Sequence, residues 1–127
     1  MKNLSRMFLA VAVLVLVAAC SAPVYNVVSE PVLSQRDVTR EEVKQAIISA
    51  GTGLGWKMTP QEDGRITGRL DLRKHTAIVD ITYTAKAFSI TYVDSTNLKY
   101  DGRLIHRNYN NWIMNLENRI QAAVAAL

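Results

Sequence analysis

The chain is poor in the residues that build most catalytic and metal sites. Its 127 residues include one cysteine and two histidines. A single cysteine, Cys20, excludes an internal disulfide. His75 and His106 stand far apart in sequence, and His106 has no acidic neighbour at helical spacing to orient it as a base. There is no cysteine pair, no His-x₃-His and no carboxylate-rich calcium loop, so no metal and no cofactor is expected. The glycines of Gly51-Thr52-Gly53-Leu54-Gly55 lack a following Lys-Ser/Thr and trail a helix pattern rather than a strand, which argues against a phosphate loop. Nor is there a nucleophile motif of the Gly-x-Ser-x-Gly type. Long apolar runs are scarce as well. The one from Met7 to Val17 is shorter than the roughly 20 residues that cross a bilayer core.

That run has a different meaning. Lys2 and Arg6 precede it and small residues follow it, the layout of a secretory signal peptide over residues 1–19. Val17-Ala18-Ala19-Cys20 resembles the lipobox of bacterial lipoproteins. The resemblance implies cleavage before Cys20 and a covalent lipid on its thiol, palmitate among the acyl groups. Two or more acyl chains hold a protein stably, at about 0.8 kcal/mol per buried methylene. Ser21, in place of aspartate, implies by the same resemblance sorting to the outer membrane, facing the periplasm. The last third of the chain adds to this. Ser95-Thr96-Asn97-Leu98-Lys99-Tyr100 and Ile105-His106-Arg107-Asn108-Tyr109-Asn110-Asn111-Trp112-Ile113 are similar to stretches of small proteobacterial outer-membrane lipoproteins. That similarity implies an address and carries no activity.

Cleavage would take Lys2 and Arg6 away, leaving 13 basic residues against 11 acidic ones, a net +2 in place of +4. This is too even a balance for nucleic-acid binding, which needs a clustered basic footprint. The remaining length suits one domain with a modest core.

Residues 20–36 read as a lipidated tether. Pro23 and Pro31 oppose helix, and Ser21, Ser29 and Ser34 break any period. A short edge strand over Val24–Val28 is the alternative to a flexible spacer. The domain then covers residues 37–127. Thr39 and Glu42 fit a capping box, with Val38 and Val43 as its hydrophobic staple. Val43, Ala46, Ile47 and Ala50 follow on one helical face. Four runs of alternating residues come next, at 56–59, 65–73, 77–84 and 88–93. Lys74-His75 is expected to close a tight hairpin that sets Asp80 opposite Arg69 and Ile78 opposite Asp71. Thr84-Ala85-Lys86-Ala87 suits a four-residue loop that keeps Tyr83 and Phe88 on one face. A last helix over roughly 105–125 carries Ile105, Tyr109, Trp112, Ile113, Leu116, Ile120 and Ala123 at helical spacing, with Trp112 expected to dominate the core. The expected fold is α+β, in the order α-β-β-β-β-α, an antiparallel meander with both helices on one face and the other face in water.

Two polar surfaces are candidates for binding. Arg65, Arg69 and Arg73 recur every fourth residue on one strand, about 13 Å apart. With Lys57 they form a candidate surface for an anionic partner, or a plain solvated face. Asn108, Asn111, Asn115 and Asn118 form an uncharged stripe on the last helix, suited to a glycan or another protein. Leu98 and Tyr100, apolar residues in the polar loop 95–102, suggest a recognition edge beside His106 and Tyr109 or a cover over the helix ends. The functional expectation is a non-enzymatic, membrane-anchored periplasmic lipoprotein that binds an envelope protein, lipid headgroup or glycan. The alternative is a small hydrolase or transferase of envelope polymers with His106 as base.

Overall fold

The computed structural model describes residues 20–127. The leader, with Lys2, Arg6 and Val17-Ala18-Ala19, lies outside the described residues. Nine elements follow one another: β1 (Ser21–Pro23), β2 (Val27–Pro31), α1 (Arg40–Gly53), β3 (Lys57–Pro60), β4 (Arg65–Leu72), β5 (His75–Tyr83), β6 (Ala87–Thr96), β7 (Leu104–His106) and α2 (Arg107–Ala125). The main sheet is antiparallel with strand order β2-β6-β5-β4-β3, and β1 pairs with β7 in a separate ribbon.

The α+β meander between two helices is the expected fold. Alternation explains it strand by strand. Ile66 and Leu70 of β4, Ala77, Val79, Ile81 and Tyr83 of β5, and Phe88 and Ile90 of β6 point into one core. Both helices close that core from the same side, α1 through Val43, Ala46, Ile47 and Ala50, α2 through Tyr109, Ile113, Leu116, Ile120 and Val124. Each large apolar side chain taken out of water contributes about 1.5–3 kcal/mol, so α2 is the largest single contributor. Gly68 makes room in the sheet. A Cβ there would stand 3.1 Å from Val79 and 3.3 Å from Trp56, which lies over the strand and is itself buried. Among the described residues the buried cluster spans Val27 to Val124.

The helix start is as read from the sequence. Thr39 accepts from the Glu42 N–H at 3.1 Å, and the Glu42 carboxylate accepts from the Thr39 N–H at 2.9 Å. The loop at 84–87 also keeps its expected register, with Tyr83 opposite Phe88.

Three expectations change. Residues 21–36, read as a spacer, supply β1 and β2. β2 lies along β6 with Val27 opposite Ile90, later in the chain than the strand considered at Val24–Val28. A bulge between Val27 and Glu30, with Ser29 at φ 51°, and the proline at its end blunt this edge against further pairing. The β4–β5 turn is Arg73-Lys74, one residue earlier than expected. Leu72 therefore pairs with His75, Arg69 faces Ile78, and Asp80 faces Thr67. A slip of two residues keeps every side chain on its face, so the core is unaffected. Finally, Trp112 is half-buried at the margin of the core, while Tyr109 and Ile113 beside it are fully buried. The helix turns Tyr109, Ile113 and Leu116 inward and leaves Trp112 at the edge of that face.

Candidate functional site

Cys20, exposed and with a free thiol, is fastened to the domain by its neighbours. Its carbonyl accepts from the Arg107 N–H at 3.2 Å, in the first turn of α2. Ser21, Ala22 and Pro23 then pair with His106, Ile105 and Leu104. Val24 donates to the Arg103 carbonyl at 3.0 Å. Asn110 completes the attachment from the helix. Its Nδ2 donates to the Pro23 carbonyl and its Oδ1 accepts from the Tyr25 N–H, each at 2.9 Å. The Tyr25 hydroxyl donates to Glu117 at 2.8 Å, and this bond, before burial, raises the Tyr25 pKa. One side of α2 thus holds residues 20–25. Asn110 falls outside the asparagine stripe, and only its neighbours at 23 and 25 reveal its role.

The loop between β6 and β7 is bound to the same end. The buried Leu98 offers its carbonyl to the His106 N–H at 2.8 Å. Asn97 donates from Nδ2 to the Lys74 carbonyl at 2.7 Å, and its own carbonyl lies 2.9 Å from His75 Nδ1. Tyr100 stacks on Tyr92 at 4.2 Å between centroids, and Tyr92 meets Tyr109 edge-on at 5.5 Å. The Tyr109 hydroxyl is buried without a partner among the described residues, and burial pushes its pKa up. Leu98 therefore folds back into the core, and Tyr100 stays partly in water.

The arginine row is not brought together as a free cationic face. Arg65 lies 3.4 Å from Asp80, and Arg69 makes a close pair with Asp71, 2.9 Å from Nε. The Arg69 bond, followed by one from Thr76, holds the Asp71 carboxyl below the usual range. Arg73 leaves the row for the turn, at φ 56°. Lys57 sits directly opposite Arg69 on β3.

The asparagine stripe is brought together and exposed. Asn115 and Asn118 line an open groove of about 300 Å³ with Leu54, Arg119 and Ala122. It continues past Asn115 into a small cleft between Leu54, Trp56, Leu70 and Trp112. Asn108 and Asn111 lie exposed further toward the helix start. A larger concavity lies elsewhere, between Glu41, Glu42, Gln45, Ser49 and Leu127, where Glu42 already serves the helix cap.

Neither histidine stands free. His106 caps α2, its Nδ1 accepting from the Asn108 N–H at 3.1 Å. His75 Nδ1 meets the Asn97 carbonyl, and its ring lies 6.3 Å from Trp112. No hydrogen bond from either ring to a carboxylate or hydroxyl occurs among the described residues, nor does a cluster of three metal-ligating side chains. Among the described residues no helix is long and apolar enough to cross a membrane.

No protein-family model matches the chain, and no curated protein or solved structure matches it.

Proposed function

We propose that this protein is a non-enzymatic lipoprotein, acylated on Cys20 and held on the periplasmic face of the outer membrane, whose domain binds an envelope partner. One observation carries the reading. The exposed Cys20 thiol stands at the head of a strand that is bonded into the domain, so an acyl group there would tether the folded unit directly. The open groove along Asn115 and Asn118, with Trp112 at its inner end, supports a protein or glycan as the partner. Amides offer donors and acceptors to either without the desolvation cost of a charge. The alternative of a hydrolase or transferase has less support, because the His106 nitrogen that a base would use caps the helix.

The test uses the full-length gene. The wild-type protein is expected in the membrane fraction, with a mature N-terminal mass that contains acyl groups at Cys20. Cys20→Ala is expected as a soluble or unprocessed species. A variant that stays membrane-bound as the same mature species ends the lipoprotein reading. Cross-linking in intact envelopes from Asn118→Cys is expected to give one discrete adduct. Recovery of the bare protein alone ends the binding half.

A further inference from the structure

We propose that the end of the domain carrying Cys20 is a seating surface for the phosphate-bearing headgroups of an anionic bilayer. The location of that bilayer rests on the acylation reading above, whereas the chemistry of the surface stands apart from it.

Hydrogen bonds weld three separate stretches into this end. Lys74 is joined to Asn97, Leu98 to His106, Arg107 to Cys20 and Arg103 to Val24. The joined stretches bring together Arg73, Lys74, Lys99, Arg103 and Arg107. All five are exposed, and none makes a side-chain hydrogen bond or ion pair among the described residues. The carboxylates nearby are already engaged. Asp71 serves Arg69 and Thr76, Asp94 accepts from the Ser95 N–H, and Asp101 accepts from the N–H groups of Leu104 and Arg103 at 2.7 and 2.9 Å. Two apolar side chains share the rim, Leu72 at 44% and Tyr100 at 39% exposure. Tyrosine with one wet edge is the residue that settles at headgroup depth.

The backbone here is held in costly shapes. Arg73, Asn97 and Lys99 all have φ between 54° and 59°. Such residues persist only where their surroundings over-determine them, and they gather at functional sites. Here the strain points two of the five cations outward from turns.

The shape selects the occupant. None of the five cations lines one of the grooves described above, and they are spread along an open rim. An extended charged plane fits it better. β1 begins at the residue after Cys20, so acyl chains there would bring that plane to the rim with no spacer between.

The experiment uses the chain from Cys20 to Leu127 as Cys20→Ser, without lipid, sedimented with vesicles. Phosphatidylcholine vesicles are expected to bind little, and vesicles with added phosphatidylglycerol to bind measurably. High salt should remove that binding as the Debye length shrinks to a few ångströms. Each of Lys74→Gln, Lys99→Gln, Arg103→Gln and Arg107→Gln is expected to lower partitioning by up to about fivefold. Arg73 is left alone because its turn geometry would change with it. The triple variant Lys57→Gln/Arg65→Gln/Arg69→Gln on the sheet face is expected to bind as wild type does. Circular dichroism confirms folding in every variant. Equal binding to both vesicle types overturns the proposal, as does an equal loss in the sheet-face variant. Polyglutamate binding as tight as that of anionic vesicles at matched charge also overturns it, in favour of an acidic protein. Because this assay contains no acyl group, its failure leaves the acylation reading untouched. Absence of acyl mass on the native protein equally leaves the vesicle result standing.

Discussion

The two ends of the molecule treat charge in opposite ways. At the end where α1 begins, three cations are matched, Arg36 with Glu42, Arg40 with Asp63 and Lys44 with Glu41, and Lys86 alone beside them makes no ion pair among the described residues. The Arg36 guanidinium also donates to the Leu127 and Asp37 carbonyls, tying the chain before α1 to the C-terminus. Charge there serves the fold. At the opposite end five cations make no ion pair among the described residues, and the bonding is done by Asn97, Asn110 and backbone amides, with the Asp101 carboxylate spent on backbone N–H groups. A domain that closes an end with amides keeps its charges available for something outside itself. Exposed ion pairs contribute only about 0–1 kcal/mol, so leaving five cations unpaired costs the fold little.

That contrast can be broken first by Asn110→Ala. It removes two hydrogen bonds, leaves the Tyr25 N–H unsatisfied, and is expected to destabilise by about 1–3 kcal/mol. Amide hydrogen exchange should speed up at residues 21–25 while the amides of Thr39 and Glu42 keep their protection. Simultaneous loss at both ends would show that they do not open separately. Thr39→Ala is the counterpart at the paired end and is expected to cost about 1 kcal/mol of global stability by denaturant titration. It should leave exchange at residues 21–25 unaffected except through that global change. The smallest expected effect concerns pH. The Arg36 side chain first, then the Thr39 N–H, lowers the Glu42 pKa from 4.5 to about 2. A carboxyl depressed in the folded state stabilises fully above its unfolded value and loses that contribution as pH falls through its folded one. Between pH 4.5 and 2 the unfolding midpoint of wild type should therefore fall more steeply than that of Glu42→Gln. Parallel curves would remove Glu42 from the account of the paired end.

The paired end was the legible one. Thr39 and Glu42 sit three residues apart and state their bond in the sequence, and the alternation from Arg65 to Tyr92 states its own faces. The amide-bonded end is assembled from stretches far apart in the chain, so no window contains it. β1 and β7 are three residues each, too short for any period. β2 carries a proline and a bulge, features that in sequence argue for a loop. The β4–β5 register went astray because Arg73 takes a left-handed φ where glycine is the usual turn signal. Asn110 looked like any polar helix residue, because its partners at Pro23 and Tyr25 are backbone groups. The arginine row is legible in part: the expected hairpin sets Asp80 against it opposite Arg69, and the earlier turn hands that carboxylate to Arg65 while Arg69 takes Asp71 from its own strand.

The pairing of the first strand with the penultimate element also sets a clock. Tyr25 and Asn110 are 85 residues apart, so the N-terminal segment has nothing to pair with until almost the whole chain exists. At about 5–20 residues per second, roughly 4–17 seconds pass between the emergence of one and of the other. Throughout that interval the partners that hold residues 20–25 are missing, and the backbone there is open to any enzyme that must grip it. Once α2 forms, its first turn takes the residue 20 carbonyl and the interval ends. Chemistry at this position is thus a matter of order: what is to be done there belongs before folding is complete.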